Sequence, residues 1–352
     1  MNFINQNILT YLLSTIYGSV MDMRNWLFYK GILPSHRFDV PTIGVGNLAV
    51  GGTGKTPHVE YLLRMLNDKY KTAVLSRGYG RKTKSFQIAD QNSSAYTIGD
   101  ESFQIFSKFP NTSVFVDEKR VHGVEEILKV KPHTEVILLD DAYQHRYISP
   151  GLSILLTDIK NRYTRDHVMP FGYLREKRKN ANRADIIIVT KCPLEIAQEE
   201  IRHILQEIEP TSSQSVFFSG MQYEDIFSVY DLRQINKERL SKSDILVVTA
   251  IAHPQPMVKH VEKLAKSIET LTFADHHLFS KNDIRTIEKK SKDKIIIITE
   301  KDAARIKSID YLNEKLKKKI YVLPMKVKIL NNQEEEFNQK INDYVRKNSR
   351  NS

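Results

Sequence analysis

The sequence predicts an α/β protein: a P-loop NTPase-type core with a parallel-rich sheet, a second, smaller α/β domain joined to it by short strands, and an N-terminal amphipathic helix. Three observations predict it. The apolar stretch Pro41 to Val45 runs into a glycine-dense loop, GNLAVGGTGKTP from Gly46 to Pro57, and then into helical apolar spacing from His58 to Leu66. Apolar runs of strand length then alternate with helix-period segments along the chain. One such run, VILLDD from Val136 to Asp141, ends in paired carboxylates, where P-loop proteins place the acid beside a bound Mg²⁺.

The loop is the centre of this reading. Glycines let backbone N–H groups curl around phosphate oxygens, and the helix that follows points its positive end at the anion. Gly51, Gly52, Thr53 and Gly54 are the cradle, Lys55 reaches the β and γ phosphates, and Thr56 offers its hydroxyl to Mg²⁺. Ala49 stands where the usual pattern has its first glycine, so this is a variant loop. The expected organisation is an N-terminal segment over residues 1–35, the P-loop core over 36–220 and a C-terminal α/β domain over 221–352.

Composition bounds the partners. The 352 residues carry a formal charge of +11, which points to anionic partners: nucleic acid, acidic headgroups or phosphorylated substrates. The aromatic residues are scattered and no nucleic-acid motif is present, so nucleic acid is not expected. The single cysteine, Cys192, allows no internal disulfide. Ile8 to Met21 is apolar but shorter than the roughly 20 residues a span requires, and Met1 to Asn7 lacks the basic start of a signal peptide. Two readings stay open, a helix in the membrane interface or one docked on its own domain.

Along the chain, Thr72 to Ser76 is the next strand, leading into SRGYGRKTK, where Arg77, Tyr79 and Arg81 are candidates for an anionic substrate or members of a solvated basic turn. In TIGDESFQIF, Asp100 reads locally as a helix N-cap and Glu101 as a first-turn acid, or the pair as a general base and a metal contact. Ser113 to Val116 is a strand, and Asp117 to Val130 is a helix carrying Arg120. Asp140 or Asp141 fits the metal-side acid after the Val136 strand. Leu152 to Thr157 is a strand, followed by a long basic irregular stretch, Asp158 to Arg183, with MPFGYLREKRK inside it. Ala184 to Thr190 is another strand. Its Thr190-Lys191 end resembles a guanine-reading element, but Pro193 stands where the required aspartate would be. Short strands from Val216 to Tyr230 lead to the second half, whose islands AIAHPQP, FADHHLF and TEKDA each follow a strand. His276 and His277 cannot both face one site in an extended chain.

Together these islands resemble the tetraacyldisaccharide 4′-kinase family, the lipid A 4′-kinases: GNLAVGGTGKTP, SRGYGRK, GDES, VILLDDAYQH, MPFGYLREKR, RADIIIVTK, FADHH and TEKD occur in family order. The family also relaxes the first loop glycine, and commonly has Gly-Phe where Ala142-Tyr143 stands here. The resemblance implies ATP- and Mg²⁺-dependent phosphoryl transfer to the 4′-hydroxyl of a tetraacyldisaccharide 1-phosphate, giving the bisphosphorylated lipid A precursor. It implies peripheral attachment at the cytoplasmic face of the inner membrane, favouring an interfacial N-terminal helix. By the same resemblance Asp100 is the base with His276 as its dyad partner, Lys55 stabilises the γ-phosphoryl group, and Thr56 and Asp141 place Mg²⁺, with Asp140 and Glu101 in support. Arg77, Tyr79, Arg120, Gln144, His145 and Arg175 are the implied substrate-side candidates.

Overall fold

The computed structural model describes residues 7–275 and 277–349. The chain opens with helix α1 (Ile8–Tyr29) and strand β1 (Thr42–Asn47), followed by α2 (Lys55–Leu66) and β2 (Thr72–Ser76). Next come β3 (Gln87–Ile88), α3 (Ala95–Ile98), α4 (Asp100–Lys108), β4 (Ser113–Val116), α5 (Arg120–Val130), β5 (Val136–Asp140), β6 (Leu152–Asp158) and β7 (Ile186–Cys192). Then α6 (Gln198–Ile208) leads to β8 (Ser215–Tyr223). These strands belong to one nine-stranded sheet, completed from the far end of the chain by β14 (Met325–Ile329), in the order β14-β8-β7-β6-β1-β5-β2-β4-β3. All pairings are parallel except at the edges, where β3 opposes β4 and β14 opposes β8.

The P-loop strand sits centrally, with β5 and β6 on either side of it. At such a reversal of strand order the connecting loops part at the carboxyl ends and leave a crevice. Strands β1, β2 and β5 are buried along their whole length, which is why they read as unbroken apolar runs rather than as alternation.

The second lobe is a five-stranded sheet of β9 (Phe227–Ser228), β10 (Asp244–Thr249), β11 (Ser267–Thr272), β12 (Ile295–Ile298) and β13 (Ile320–Val322), ordered β11-β10-β12-β13-β9. Its helices are α7 (Lys237–Ser241), α8 (Gln255–Glu262), α9 (Lys281–Ser291), α10 (Glu300–Lys307) and α11 (Glu314–Lys317), and α12 (Glu334–Asn348) ends the chain. Two stretches join the lobes side by side, β8 into β9 and β13 into β14, with Glu224 N–H donating to the Pro324 carbonyl at 3.0 Å. Within the 221–352 unit expected from sequence, β14 and α12 therefore lie on the nine-stranded sheet. Phe337, Ile341 and Val345 of α12 pack into its core with Val59, Leu62 and Leu63 of α2. Side chains of this size contribute roughly 1.5–3 kcal/mol each when fully buried, which accounts for the return of the chain to the first lobe.

The N-terminal helix docks on its own domain by one face and leaves an apolar face exposed. Ser14, Gly18, Asn25 and Phe28 form a buried stripe. Ser14 donates to the Val168 carbonyl at 2.6 Å, Asn25 to Glu176 at 2.8 Å, and Asp22 pairs with Lys177 and Lys179. The irregular stretch before β7 is thus its docking platform. On the other face Ile8, Leu12, Ile16, Val20, Met23 and Trp26 are exposed.

Candidate active site

The loop between β1 and α2 has the backbone a phosphate cradle requires. Gly51 and Gly54 have φ of 111° and 90°, in the left-handed region that disfavours side chains, and a Cβ at Gly51 or Gly52 would meet nothing within 4 Å. Gly54 caps α2 without a side-chain hydrogen bond, so the first N–H groups of the helix are left for an anion. Ala49 needs no glycine because it sits in an extended bridge with Leu174. Val50 N–H donates to the Tyr173 carbonyl at 2.8 Å, and Arg175 N–H donates to that of Leu48 at 2.8 Å. That pairing also carries Arg175 into the site.

Around the loop five residues close a ring. Lys55 Nζ lies 3.5 Å from Asp141 and 3.4 Å from Asn47 Oδ1. Gln144 Nε2 donates to the Asn47 carbonyl at 2.7 Å, while its Oε1 accepts from Arg175 Nη1 at 3.1 Å, and Arg175 returns to Asp141 at 3.4 Å. Asp141 holds a left-handed backbone, φ 47°, directly after β5. Non-glycine residues in that region are retained chiefly where the surroundings require them, often at functional sites. Burial pushes its pKa upward, but the Lys55 and Arg175 charges win and hold it below the ordinary aspartate value.

Asp140 behaves oppositely. It is buried, and burial together with the negative charges of Glu101 and Asp141 raises its pKa to about 7, against Lys55 and Arg120. Its Oδ1 is buried without a hydrogen-bond partner. A carboxylate so placed, crowded by two more, suits a hard cation with oxygen ligands. Among the described residues no group of three or more His, Cys, Asp or Glu side chains forms a metal cage.

Asp100 is not the N-cap that its local sequence suggests. Gly99 takes that position with φ 86°, and a Cβ there would fall 2.8 Å from the Tyr79 carbonyl. Asp100 is instead the first residue of α4, buried, with Oδ1 accepting from Glu101 N–H at 3.0 Å and Oδ2 accepting from Arg305 of the second lobe at 2.6 Å. Glu101 pairs with Lys301 at 2.5 Å, and Lys108 pairs with Glu300. Helices α4 and α10 therefore join the lobes through three ion pairs. His276 lies outside the described residues. His277 turns to Asp283 at 2.9 Å and stacks on Phe273, a structural position.

The basic candidates divide. Arg175 and Gln144 belong to the ring. Arg77 and Tyr79 are exposed, whereas Arg81 pairs with Glu118. Arg120 is buried, donating to the Asp117 and Asp140 carbonyls, so it braces the end of β5. His145 is held neutral near pH 7, because burial and then the Arg120 charge lower its pKa to about 4. Thr190 hydrogen-bonds the Thr53 carbonyl at 2.9 Å and so ties β7 to the loop.

Asn47 was not singled out by motif reading. Its Oδ1 faces a lysine, which can only donate, so its Nδ2 must point away, and that atom is buried without a partner. We expect Asn47→Ala to lower kcat about ten- to a hundred-fold with little change in the KM for nucleotide, on the proposal that this buried donor meets charge developing in the transition state. Steady-state kinetics checks this; a change confined to KM contradicts it.

Phosphoryl transfer asks for positioning and neutralised charge rather than covalent chemistry. Fold and site together define a P-loop phosphotransferase. The chain belongs to the tetraacyldisaccharide 4′-kinase family, whose model, Tetraacyldisaccharide-1-P 4′-kinase, matches residues 6–346. It is 44% identical to the tetraacyldisaccharide 4′-kinase of Bacteroides thetaiotaomicron, over 100% of this chain and 96% of that protein. The Flavobacterium johnsoniae enzyme of the same name is 43% identical, covering 95% of both chains. Among solved structures, LpxK from Aquifex aeolicus in complex with ATP superimposes with a TM-score of 0.74 at 27% identity, covering 95% of this chain and 98% of that one.

Proposed function

We infer that this chain transfers the γ-phosphoryl group of ATP to the 4′-hydroxyl of a tetraacyldisaccharide 1-phosphate, yielding the bisphosphorylated lipid A precursor. The observation that carries the reading is the family match over residues 6–346 on a chain whose loop lysine faces the acidic end of β5. The 4′-oxygen forms a bond to the γ-phosphorus as the bond to the β,γ-bridging oxygen breaks, and ADP leaves. Asp100 takes the hydroxyl proton, since a sugar hydroxyl is a poor nucleophile without a base in reach. Lys55, Arg175, the Asn47 amide and the loop N–H groups hold the transferring group and its charge. Thr56 and Asp141, with Asp140 and Glu101 beside them, would hold Mg²⁺, which neutralises phosphate charge when bound. Arg77, Tyr79 and His145 border the acceptor side, with Gln144 and Arg120 fixing Arg175 and β5. His276 is the proposed partner of Asp100.

Turnover with the acceptor in detergent micelles tests the reading. Mg²⁺-ATP adds one phosphate to the acceptor, giving the bisphosphate, and chelation abolishes it; hydrolysis with GTP preferred and no lipid product would point to a nucleotide switch instead.

No helix among the described residues is long and apolar enough to cross a membrane. We propose that α1 lies on the cytoplasmic surface of the inner membrane with its open apolar face in the headgroup boundary, where Trp26 is at home. Replacing Leu12 and Ile16 together by glutamate is expected to lower vesicle binding at least about tenfold, since each change removes apolar burial and adds charge. Flotation with acidic lipid vesicles checks this, and undiminished flotation contradicts it.

A further inference from the structure

The expected base does not stand on the first lobe alone. Arg305, on α10 of the second lobe, is buried, and its guanidinium is fixed from behind: Nη1 donates to the Asp302 carboxylate at 3.0 Å and to the Ala250 carbonyl at 2.9 Å. Asp302 is fully buried, and it is anchored in turn by the Thr299 hydroxyl at 2.7 Å and by Ala250 N–H at 3.2 Å. From this rigid base Nη2 reaches across to Asp100 Oδ2 at 2.6 Å. A guanidinium held at two points presents its remaining donors in a fixed plane, which a flexible ammonium does not do.

We propose that Arg305 is a positioning residue for the phosphoryl transfer, setting the orientation in which the Asp100 carboxylate meets the acceptor hydroxyl. The inference rests on Asp100 being the base. A neighbouring cation also makes a carboxylate less basic, so the two effects must be weighed. Each unit by which the base is weakened costs at most about tenfold in rate, whereas a misplacement of about 1 Å costs about a hundredfold. Orientation is the larger effect. Asp100 leads its helix with Glu101 N–H on Oδ1, and Arg305 adds a contact to Oδ2 from an anchored point on the second lobe. The surrounding charges are Glu101 on its own helix, with Lys301 on α10 and Asp302 behind the guanidinium. Lys301 is committed to Glu101 and does not replace Arg305.

The test uses the full chain with Mg²⁺-ATP and the micellar acceptor, comparing Arg305→Ala, Arg305→Gln, Arg305→Lys, Asp100→Ala and the Asp100→Ala/Arg305→Ala double variant. Thermal unfolding and ATP binding identify the variants that remain folded. Arg305→Ala and Arg305→Gln should each lose about a hundredfold in kcat, with the KM for ATP moved less than about threefold. Arg305→Lys should recover most of that loss. The double variant should be no slower than Asp100→Ala alone, because a residue acting through Asp100 has nothing left to position. If either neutral variant folds and keeps parental kcat, or if its loss multiplies in full with that of Asp100→Ala, the proposal is overturned. Should Asp100→Ala itself keep turnover, the base reading fails and the proposal with it, whereas an inactive Asp100→Ala beside unimpaired Arg305 variants removes this inference alone.

Discussion

Asp100→Asn is expected to lower kcat for lipid phosphorylation by about 10²–10⁴-fold while ATP binding stays within a few-fold of the parent, the range for loss of a positioned general base. The substitution is nearly isosteric. It keeps the Oδ1 acceptor for Glu101 N–H and exchanges a proton-accepting oxygen for an amide. Asp100 leads α4, whereas the loop proposed to cradle the phosphates leads α2. Losing the carboxylate therefore leaves the nucleotide contacts whole. The change should appear in kcat and in kcat/KM for the acceptor, and not in the KM for ATP. Pre-steady-state lipid phosphorylation with saturating ATP checks it, and a parental rate would remove Asp100 from the chemistry.

Lys55→Ala should fail differently, by about 10³-fold or more in kcat and with a raised KM for ATP. Its ammonium stands between the loop and Asp141, in a site that also holds Asp140 and Glu101. Without it, a polyphosphate enters among three carboxylates with Arg175 as the nearest remaining cation of the ring. Ground-state binding and transition-state charge then both suffer. Lys55→Arg should not rescue the loss, because a planar fork in place of a compact ammonium does not fit a partner set built around one point charge. Kinetics with ATP in excess separates the two parameters; a defect in KM alone would contradict a role in the transferring group.

Much of this was legible in the chain because it is local. Gly51, Gly54, Lys55 and Thr56 follow one another between a strand and a helix, so order alone assembles the cradle, and Asp140 ends a strand whose apolar run marks it as buried. The parallel core follows from the same alternation. What was not legible depends on pairings that sequence spacing does not display. Asp100 and Arg305 are 205 residues apart, and TEKDA gave no sign that the arginine two positions beyond it would cross to the other lobe. Ala49 departs from the loop pattern as the family does, and its bridge with Leu174 supplies the physical reason, extended backbone there. Asn47 lies within the loop stretch but carries no role in its pattern, and only the orientation forced on its amide by Lys55 exposes a free donor. The apolar N-terminal segment offered two readings from composition, yet a helix has more than one face: α1 docks by one, and the other stays exposed and open to the proposed interfacial role.

The most direct measurement uses ATP whose γ-phosphoryl group carries heavy oxygen in its three non-bridging positions, with Mg²⁺, the micellar tetraacyldisaccharide 1-phosphate and mass analysis of both lipid and inorganic phosphate. The account predicts a product phosphorylated on the distal sugar that keeps all the label, with the ester oxygen supplied by the acceptor. Label appearing only in inorganic phosphate, beside an unchanged lipid, would contradict it.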